Sequence, residues 1–341
     1  MLRKKYVQVE ITRNCSEKCI VCPHRKWKFG GEMDFKDFLK ISKCFSDFEI
    51  VYLQGWGEPL QHRKFFEMLK IAKTKAKTGF TTNGKKLKKY AEKVAELTDY
   101  LLVSFGGVNI HDETRGVKFD EAFEGLRAVA EAKKETGSSV RIGASYMLTT
   151  QNWMECTEFV KIIGGVADYV VFTNLDYVFD EITEELRLFG KNIPEASNEV
   201  ERALNLARKA GMKARAYPLH LEEQAVCEAN PHLSMAISCE CEIYPCIYLC
   251  LPFEKIERIF SGKKIYAEKP YFGTLSKDAL EKYEKFISVF RKRISAYERA
   301  LDELFTSSPF TALRKLSAVD DALARNPPPE CCKTCYKLYG V

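Results

Sequence analysis

The chain has 341 residues, 46% of them hydrophobic and 12% aromatic, enough to bury one large α/β core or a core with an appendage. No apolar run approaches the ~20 residues a membrane span needs. The start, Met1 to Lys5, runs straight into YVQVEIT, too short and polar for a secretory leader, so a cytoplasmic protein with no membrane partner is expected. A net charge of +6 is mild. Lysines gather in KIAKTKAKTG and NGKKLKKYAEK without the interleaved aromatic residues of a nucleic-acid stacking platform, and read as solvated helix faces.

From Tyr6 onward, short β-rich runs alternate with amphipathic stretches. YVQVEI, EIVYLQG, TGFTT, YLLVSFGG, VRIGASYML and DYVVFTNL are the expected strands. FFEMLKIAKTK and FDEAFEGLRAVAEAKKE lie between them, the second with Phe119, Phe123, Leu126 and Ala130 at helical spacing. Six such units predict parallel strands joined by right-handed helical crossovers, in a doubly wound sheet or part of a barrel. In either, chemistry collects at the carboxyl ends of the strands.

The unusual loops fall there. CSEKCIVC follows the first strand, GWGEP the second, TTNG the third and SFGG the fourth, so all four share one rim. The chain has 13 cysteines, and in a reducing compartment such residues read first as metal ligands. Cys44 and Cys156 stand alone in helix-like segments and are expected to be small buried hydrophobes. Cys15, Cys19 and Cys22 admit two readings. A structural zinc site wants a fourth ligand, which His24 could supply. A cubane iron–sulfur cluster on three thiolates leaves one iron open to an oxygen and nitrogen ligand.

The stretch Cys15-Ser-Glu-Lys-Cys19-Ile-Val-Cys22 resembles the signature of the radical S-adenosylmethionine (radical SAM) enzymes, and the order of strands and loops extends the resemblance over roughly residues 6 to 180. It implies a partial (β/α)6 TIM-like barrel and a [4Fe–4S] cluster on Cys15, Cys19 and Cys22. The open iron would chelate S-adenosylmethionine, whose reductive cleavage gives a 5′-deoxyadenosyl radical that abstracts hydrogen from substrate. GWGEP stands where the family carries its Gly-Gly-Glu-Pro-type loop. There Gly55 and Gly57 would let backbone approach a ligand, and Glu58 would accept from the methionyl ammonium group. TTNG and LLVSFGG resemble the family's strand-3 and strand-4 ends, adding Asn83 and Ser104 as cosubstrate contacts. HDETRG resembles the stretch that commonly follows, with His111 and Arg115 read as loop packing, and Asn152 occupies a familiar position. Val21 departs from the pattern, since an aromatic residue usually stands there, and it receives no adenine-packing role.

Eight cysteines fall at or beyond Cys227. Cys227-x13-Cys241-x4-Cys246 resembles the opening of the SPASM/twitch extensions, which hold auxiliary iron–sulfur clusters, with Cys241 where Gly is expected. YFGTLSKDALEKY resembles their short strand and helix, and Cys332-Lys-Thr-Cys335 their later pair. The tail beyond Cys335 is too short for a second auxiliary cluster. The expected division is therefore a radical SAM core over 1–220 and a small cysteine-rich extension over 221–341. Its auxiliary [4Fe–4S] cluster would sit on Cys227, Cys246, Cys332 and Cys335, with Cys241 as the substitute ligand. A zinc ribbon is the alternative, and Cys239, Cys250 and Cys331 are surplus. A long helix between Asp278 and Leu316, apolar at Phe286, Val289, Phe290 and Ile294, is expected to cross the barrel.

The expected function is that of a radical SAM oxidoreductase or maturase acting on a peptide, protein or cofactor-precursor substrate. A reductase or a ferredoxin- or flavodoxin-type donor would reduce it. The alternatives are a zinc-stapled nucleic-acid-binding protein and an iron–sulfur electron carrier.

Overall fold

The structure is a computed structural model and describes residues 4–305 and 318–341. Six strands carry the barrel: β1 (Lys4–Val9), β2 (Phe48–Leu53), β3 (Lys77–Thr82), β4 (Tyr100–Phe105), β5 (Arg141–Leu148) and β6 (Tyr169–Asn174). The helices between and after them are α1 (Phe35–Ile41), α2 (Phe65–Lys73), α3 (Ala91–Leu97), α4 (His111–Arg115), α5 (Phe119–Thr136), α6 (Cys156–Ile163), α7 (Glu181–Leu186) and α8 (Pro194–Lys209). The sheet continues through β7 (Lys213–Ala216), β8 (Ser234–Ile237) and β9 (Ile243–Tyr244), in the order β7-β6-β5-β4-β3-β2-β1-β8-β9. From β1 to β7 the order is sequential and every pairing parallel, with none of the reversal that marks a doubly wound sheet. This is the partial barrel.

Alternation along the strands gives the barrel two different faces. Val7, Val9, Val51, Leu53, Leu101, Val103, Ile142, Ala144, Val170 and Phe172 are buried under the helices. The intervening Gln8, Tyr52, Gln54, Ser104, Ser145, Met147 and Thr173 are half-buried and line the lumen. Register keeps them in layers, pairing Ser104 with Ser145 and Met147 with Thr173. A polar lumen explains why these strands read as alternating patterns rather than the continuous apolar runs of parallel strands buried on both faces.

The strands after β6 were not among those expected from the sequence, and two of them flank the barrel. β7 extends the sheet past β6, and its register puts Lys213 opposite Tyr169. β8 comes from the cysteine-rich segment yet pairs in parallel with β1, Tyr6 opposite Ser234, and so covers an edge that would otherwise expose unpaired backbone groups. Its burial on all four residues fits that role. A hairpin of β10 (Lys255–Phe260) and β11 (Lys263–Glu268) follows, then α9 (Lys277–Phe305). The expected helix face is partly corrected: Phe290 is buried and Phe286 and Ile294 half-buried, but Val289 is 36% exposed. Ala279, Tyr283, Ile287 and Arg293 fill the buried stripe instead, and the Tyr283 hydroxyl donates to the carbonyls of Pro231 and Ser234 at 2.9 and 2.6 Å. The helix thus backs β8. Residues 306–316 of the expected helix lie outside the described residues. Among the described residues no helix is long and apolar enough to cross a membrane.

Cys156 is fully buried and Cys44 half-buried, with its thiol directed at the Ile41 carbonyl. Cys241 is different, because it holds a left-handed backbone with φ of +64°. A Cβ is unfavourable in that region, the reason glycine is preferred there. Cys241→Gly should raise folding stability by about 0.5–1 kcal/mol, the roughly 1–2 kcal/mol cost of a Cβ in this region less the roughly 0.5–1 kcal/mol of backbone entropy that glycine loses on folding. Thermal denaturation checks this, and a loss of stability would show that the Cys241 side chain contributes more packing than its backbone costs.

Candidate functional site

The first strand's extension sets the base of the site. Beyond Val9, Glu10, Ile11, Thr12 and Arg13 remain buried. Arg13, only 2% exposed, pairs through Nε with Glu10 at 2.8 Å, through both terminal nitrogens with Glu240, and donates to the Cys250 carbonyl at 2.8 Å. The second loop is stitched onto this extension by backbone, Gly57 N–H to the Thr12 carbonyl at 3.1 Å and Glu58 N–H to that of Asn14 at 2.9 Å. Glycine is required for that approach. A Cβ on Gly57 would lie 2.5 Å from the Thr12 carbonyl oxygen, and one on Gly55 would meet the Glu10 side chain at 2.2 Å. Gly55 and Gly57 thus admit close approach, as their type suggests, but the approaching groups seen here belong to the protein itself.

Cys15, Cys19 and Cys22 follow, all half-buried and unbridged. Burial pushes the Cys15 thiol to about 12 and that of Cys22 to about 11. Cys19 is also raised by burial, against the Arg115 charge, and its thiol donates to the Arg115 carbonyl at 2.9 Å. The three line one end of a cavity of about 420 Å³. Gly55, Gly57, Glu58, Asn83 and Ser104 line it too, so the structure gathers all five expected contacts beside the three thiols.

Glu58 is buried and already braced, accepting from Thr82 Oγ1 at 2.7 Å, Asn83 N–H at 2.8 Å and Leu60 N–H at 3.2 Å. Burial raises its pKa, with those donors opposing the shift. Among the described residues two buried donors in the same wall have no hydrogen-bond partner, Asn83 Nδ2 and Arg115 Nε. An acceptor beside two orphan donors suits a zwitterionic amino acid. Arg115, read from the sequence as packing, is thus a wall residue whose charge favours the thiolates of Cys19 and Cys22. Val21 joins Leu175 and Met147 in an apolar patch of the wall. His111 and Asn152 are structural. His111 is buried against Phe105 and Phe119, while Asn152 bonds Gly106 and Met147 carbonyls and the Thr149 N–H. His24 stacks on Phe29 at 4.0 Å and is not among the cavity's lining residues.

The late cysteines converge on a second locus. Burial raises Cys227 to about 11, and Cys335 adds to that. Cys246 is raised by burial and then by Cys335 and Cys227. Cys332 is raised first by its hydrogen bond to Cys331, with Cys227 and Cys335 contributing. Cys227, Cys246, Cys332 and Cys335 therefore stand within electrostatic reach of one another across more than 100 residues of sequence. The buried Arg258 braces this loop, donating to the Cys331 carbonyl at 2.5 Å and to Thr334 Oγ1 at 2.9 Å. Cys241 has Asp37, Lys40 and Glu240 as its charged neighbours, and none of the other late thiols acts on it. Cys239 sits with Glu10 and Glu240 around Arg13.

A cavity of about 730 Å³ opens beside Cys227 and Cys246, between β7 and β8, and shares Gln54, Ile247, Tyr248 and Lys337 with the first. At that junction Tyr248 donates to Asp176 at 2.6 Å, and the Lys337 ammonium pairs with both Asp176 and Glu228. Trp56, Tyr177 and Tyr248 pack ring to ring at 5.4 to 5.7 Å. Sequence reasoning missed this set. Asp176 could have been found, because it follows the sixth strand at the same rim, but nothing near the chain end marks Lys337.

Glu58→Ala should destabilise the apoprotein by about 2–4 kcal/mol, because it leaves the buried Thr82 hydroxyl and two backbone N–H groups without their acceptor. Denaturant unfolding measures it. Unchanged stability would show that those donors find other partners.

The family model for the radical SAM superfamily matches residues 9–163. A curated relative, the tungsten-containing aldehyde ferredoxin oxidoreductase cofactor-modifying protein of Pyrococcus furiosus, is 24% identical over 259 residues, 71% of this chain and 70% of that protein. In fold the chain resembles Streptococcus suis SuiB bound to S-adenosylmethionine, with a TM-score of 0.57 at 18% identity, over 78% of this chain; it spans 63% of that protein's length. It also resembles anSMEcpe with bound AdoMet and the Cp18Cys peptide, with a TM-score of 0.56 at 16% identity, over 84% of this chain and 82% of that one. The likeness to the radical SAM superfamily thus rests on residues 9–163, the stretch that carries the first cysteine loop and GWGEP.

Proposed function

We propose that the chain is a radical SAM oxidoreductase or maturase with one auxiliary cluster, acting on a peptide, protein or cofactor precursor. The observation that carries this is the placement of Cys15, Cys19 and Cys22 at the end of a cavity walled by Glu58, Asn83 and Arg115. The cluster and S-adenosylmethionine, when bound, supply the one-electron cleavage to methionine and a 5′-deoxyadenosyl radical that takes hydrogen from substrate. Cys15, Cys19 and Cys22 would hold the cluster as thiolates. Glu58 would accept from the cosubstrate's ammonium group, while Asn83 Nδ2 and Arg115 Nε would donate to its carboxylate. Ser104 faces the ribose or carboxylate, and Val21, Leu175 and Met147 offer an apolar surface to the base. A low-potential carrier of ferredoxin or flavodoxin type, or a reductase, provides the electron.

The second locus supports a single auxiliary [4Fe–4S] cluster on Cys227, Cys246, Cys332 and Cys335, in a SPASM/twitch-like extension over 221–341 that follows a core over 1–220. A zinc ribbon on the same four thiols is the alternative, and the metal analysis below separates the two. A substrate in the shared space between the cavities would meet both sites. The likeness to a cofactor-modifying protein and to a fold solved with a bound peptide keeps both substrate classes in this reading.

Anaerobically reconstituted protein with dithionite should convert S-adenosylmethionine to 5′-deoxyadenosine without added substrate. Alanine at Cys15, Cys19 or Cys22 should abolish it, and undiminished cleavage in any of the three variants would sink the assignment. In the protein with all three changed together, iron and sulfide analysis should find about four irons per chain, the content of one cubane. About eight would require a second auxiliary cluster, and zinc in place of iron would make the tail a structural staple.

A further inference from the structure

We propose that the lysine-rich rim outside the cysteine loop, formed by Lys18, Lys85, Lys86, Lys88 and Lys89, is the docking surface for an acidic one-electron carrier protein. The proposal rests on the radical SAM reading of the first site and names its partner surface. Residues 70–93 hold nine lysines and a single carboxylate, Glu92. The fold divides them between the two ends of the barrel. Lys70 and Lys73 on α2, and Lys75 and Lys77 leading into β3, lie toward the amino ends of the strands. Lys85 to Lys89 follow the carboxyl end of β3, on the rim that carries Cys15, Cys19 and Cys22.

Contacts place this second group against the cysteine loop itself. Lys85 pairs at 2.9 Å with Glu17, which lies between Cys15 and Cys19. On the other side of the loop Gly116 packs against the Lys18 backbone, where a Cβ would stand 3.1 Å from the Lys18 nitrogen. All five lysine side chains are exposed. Carboxylates near them are few, and exposed Glu92, three residues past Lys89, is one. Glu17 is buried under Lys85, Glu124 is shared by Lys88 at 3.4 Å and Arg127 at 2.7 Å, and Glu121 on α5 is exposed beside Lys85. The outward balance stays positive.

The inner side of the loop faces the cosubstrate cavity, so an electron has to enter from the outer side. Exposed residues of the loop are Asn14, Ser16 and Lys18, which makes the lysine rim the nearest landing place for a protein. Electron-transfer encounters are small, below about 1,200 Å² in total, and complementary charge steers them. A few lysines suffice. The step moves one electron from the carrier to the cluster, with no bond made or proton transferred. Nucleic acid fits the rim less well, because its aromatic residue, Tyr90, is half-buried against Phe66 at 5.0 Å rather than free to stack on a base.

The test uses reconstituted holoenzyme and its Lys88→Glu/Lys89→Glu variant, with 5′-deoxyadenosine formation as the readout. Dithionite and a reduced acidic low-potential ferredoxin are compared as electron sources at low ionic strength. The variant should turn over about tenfold or more slowly with ferredoxin and at the wild-type rate with dithionite. Added salt should slow the wild type with ferredoxin and affect the variant little. Equal loss with both reductants overturns the proposal, since the lysines would then support the loop itself. So do unchanged rates with both, or failure of ferredoxin to reduce the wild type. A variant that loses affinity for a short single-stranded oligonucleotide yet keeps its ferredoxin rate assigns the rim to nucleic acid. Failure of dithionite with the wild type strikes the radical SAM reading itself, a result separate from all of these.

Discussion

Arg13 is the fixed point of the molecule. A guanidinium this deeply buried is tolerable only with its donors matched, and here they are matched by groups more than 200 residues apart in sequence. Glu10 comes from the extension of β1, while Glu240 and the Cys250 carbonyl come from the cysteine-rich segment. One side chain therefore locks the approach to the first three thiols against the segment that carries Cys246. The geometry of the first loop depends on that lock, because Gly57 and Glu58 hang by backbone bonds from residues 12 and 14 on either side of Arg13. Removing one partner of such a buried charge costs about 3–5 kcal/mol, more than a domain can lose lightly.

The six strands were legible because a polar lumen imposes alternation, and the rim loops because chemistry on parallel strands gathers at their carboxyl ends. The first three thiols stand out by their close spacing, whereas the four late ones are singled out only through the resemblance to SPASM/twitch extensions. What the sequence hid was long-range pairing. β8 is four small or apolar residues, SMAI, with no alternation and no turn signal that would assign it to β1. Lys337 sits in a tail with no pattern, and only folding puts its ammonium group between Asp176 and Glu228. Arg115 was readable as an arginine near the site but not as a donor turned inward, since a five-residue helix carries no clear periodicity. The glycines of GWGEP were legible as positions of close approach; their partner in that approach was not.

The lysine runs show the same limit from the opposite direction. Read along the chain they form one solvated stripe, and composition supplies no reason to divide it. The βα register divides it, because β3 separates Lys77 at its start from Lys85 just beyond its end. Identical residues a few positions apart thus face opposite ends of the barrel.

Burial of the thiols bears on how both sites are assembled. Each of the seven cysteines proposed as ligands has its pKa raised, so the metal-free protein holds neutral thiols at pH 7. Thiolates are the ligands, and metal binding therefore releases protons and draws stability from the metal–sulfur bonds. Nearby cations ease that conversion. Arg115 favours the charged forms of Cys19 and Cys22, and Arg258 and Lys337 do so for Cys335. Lys337 has a second position, on the wall shared by the two cavities. Lys337 stands two residues past Cys335, and its pairing with Asp176 and Glu228 is formed without any cluster. The proposed auxiliary site and the cavity wall beside the first site are therefore built from one short stretch of the tail, so a change at either Cys335 or Lys337 bears on both.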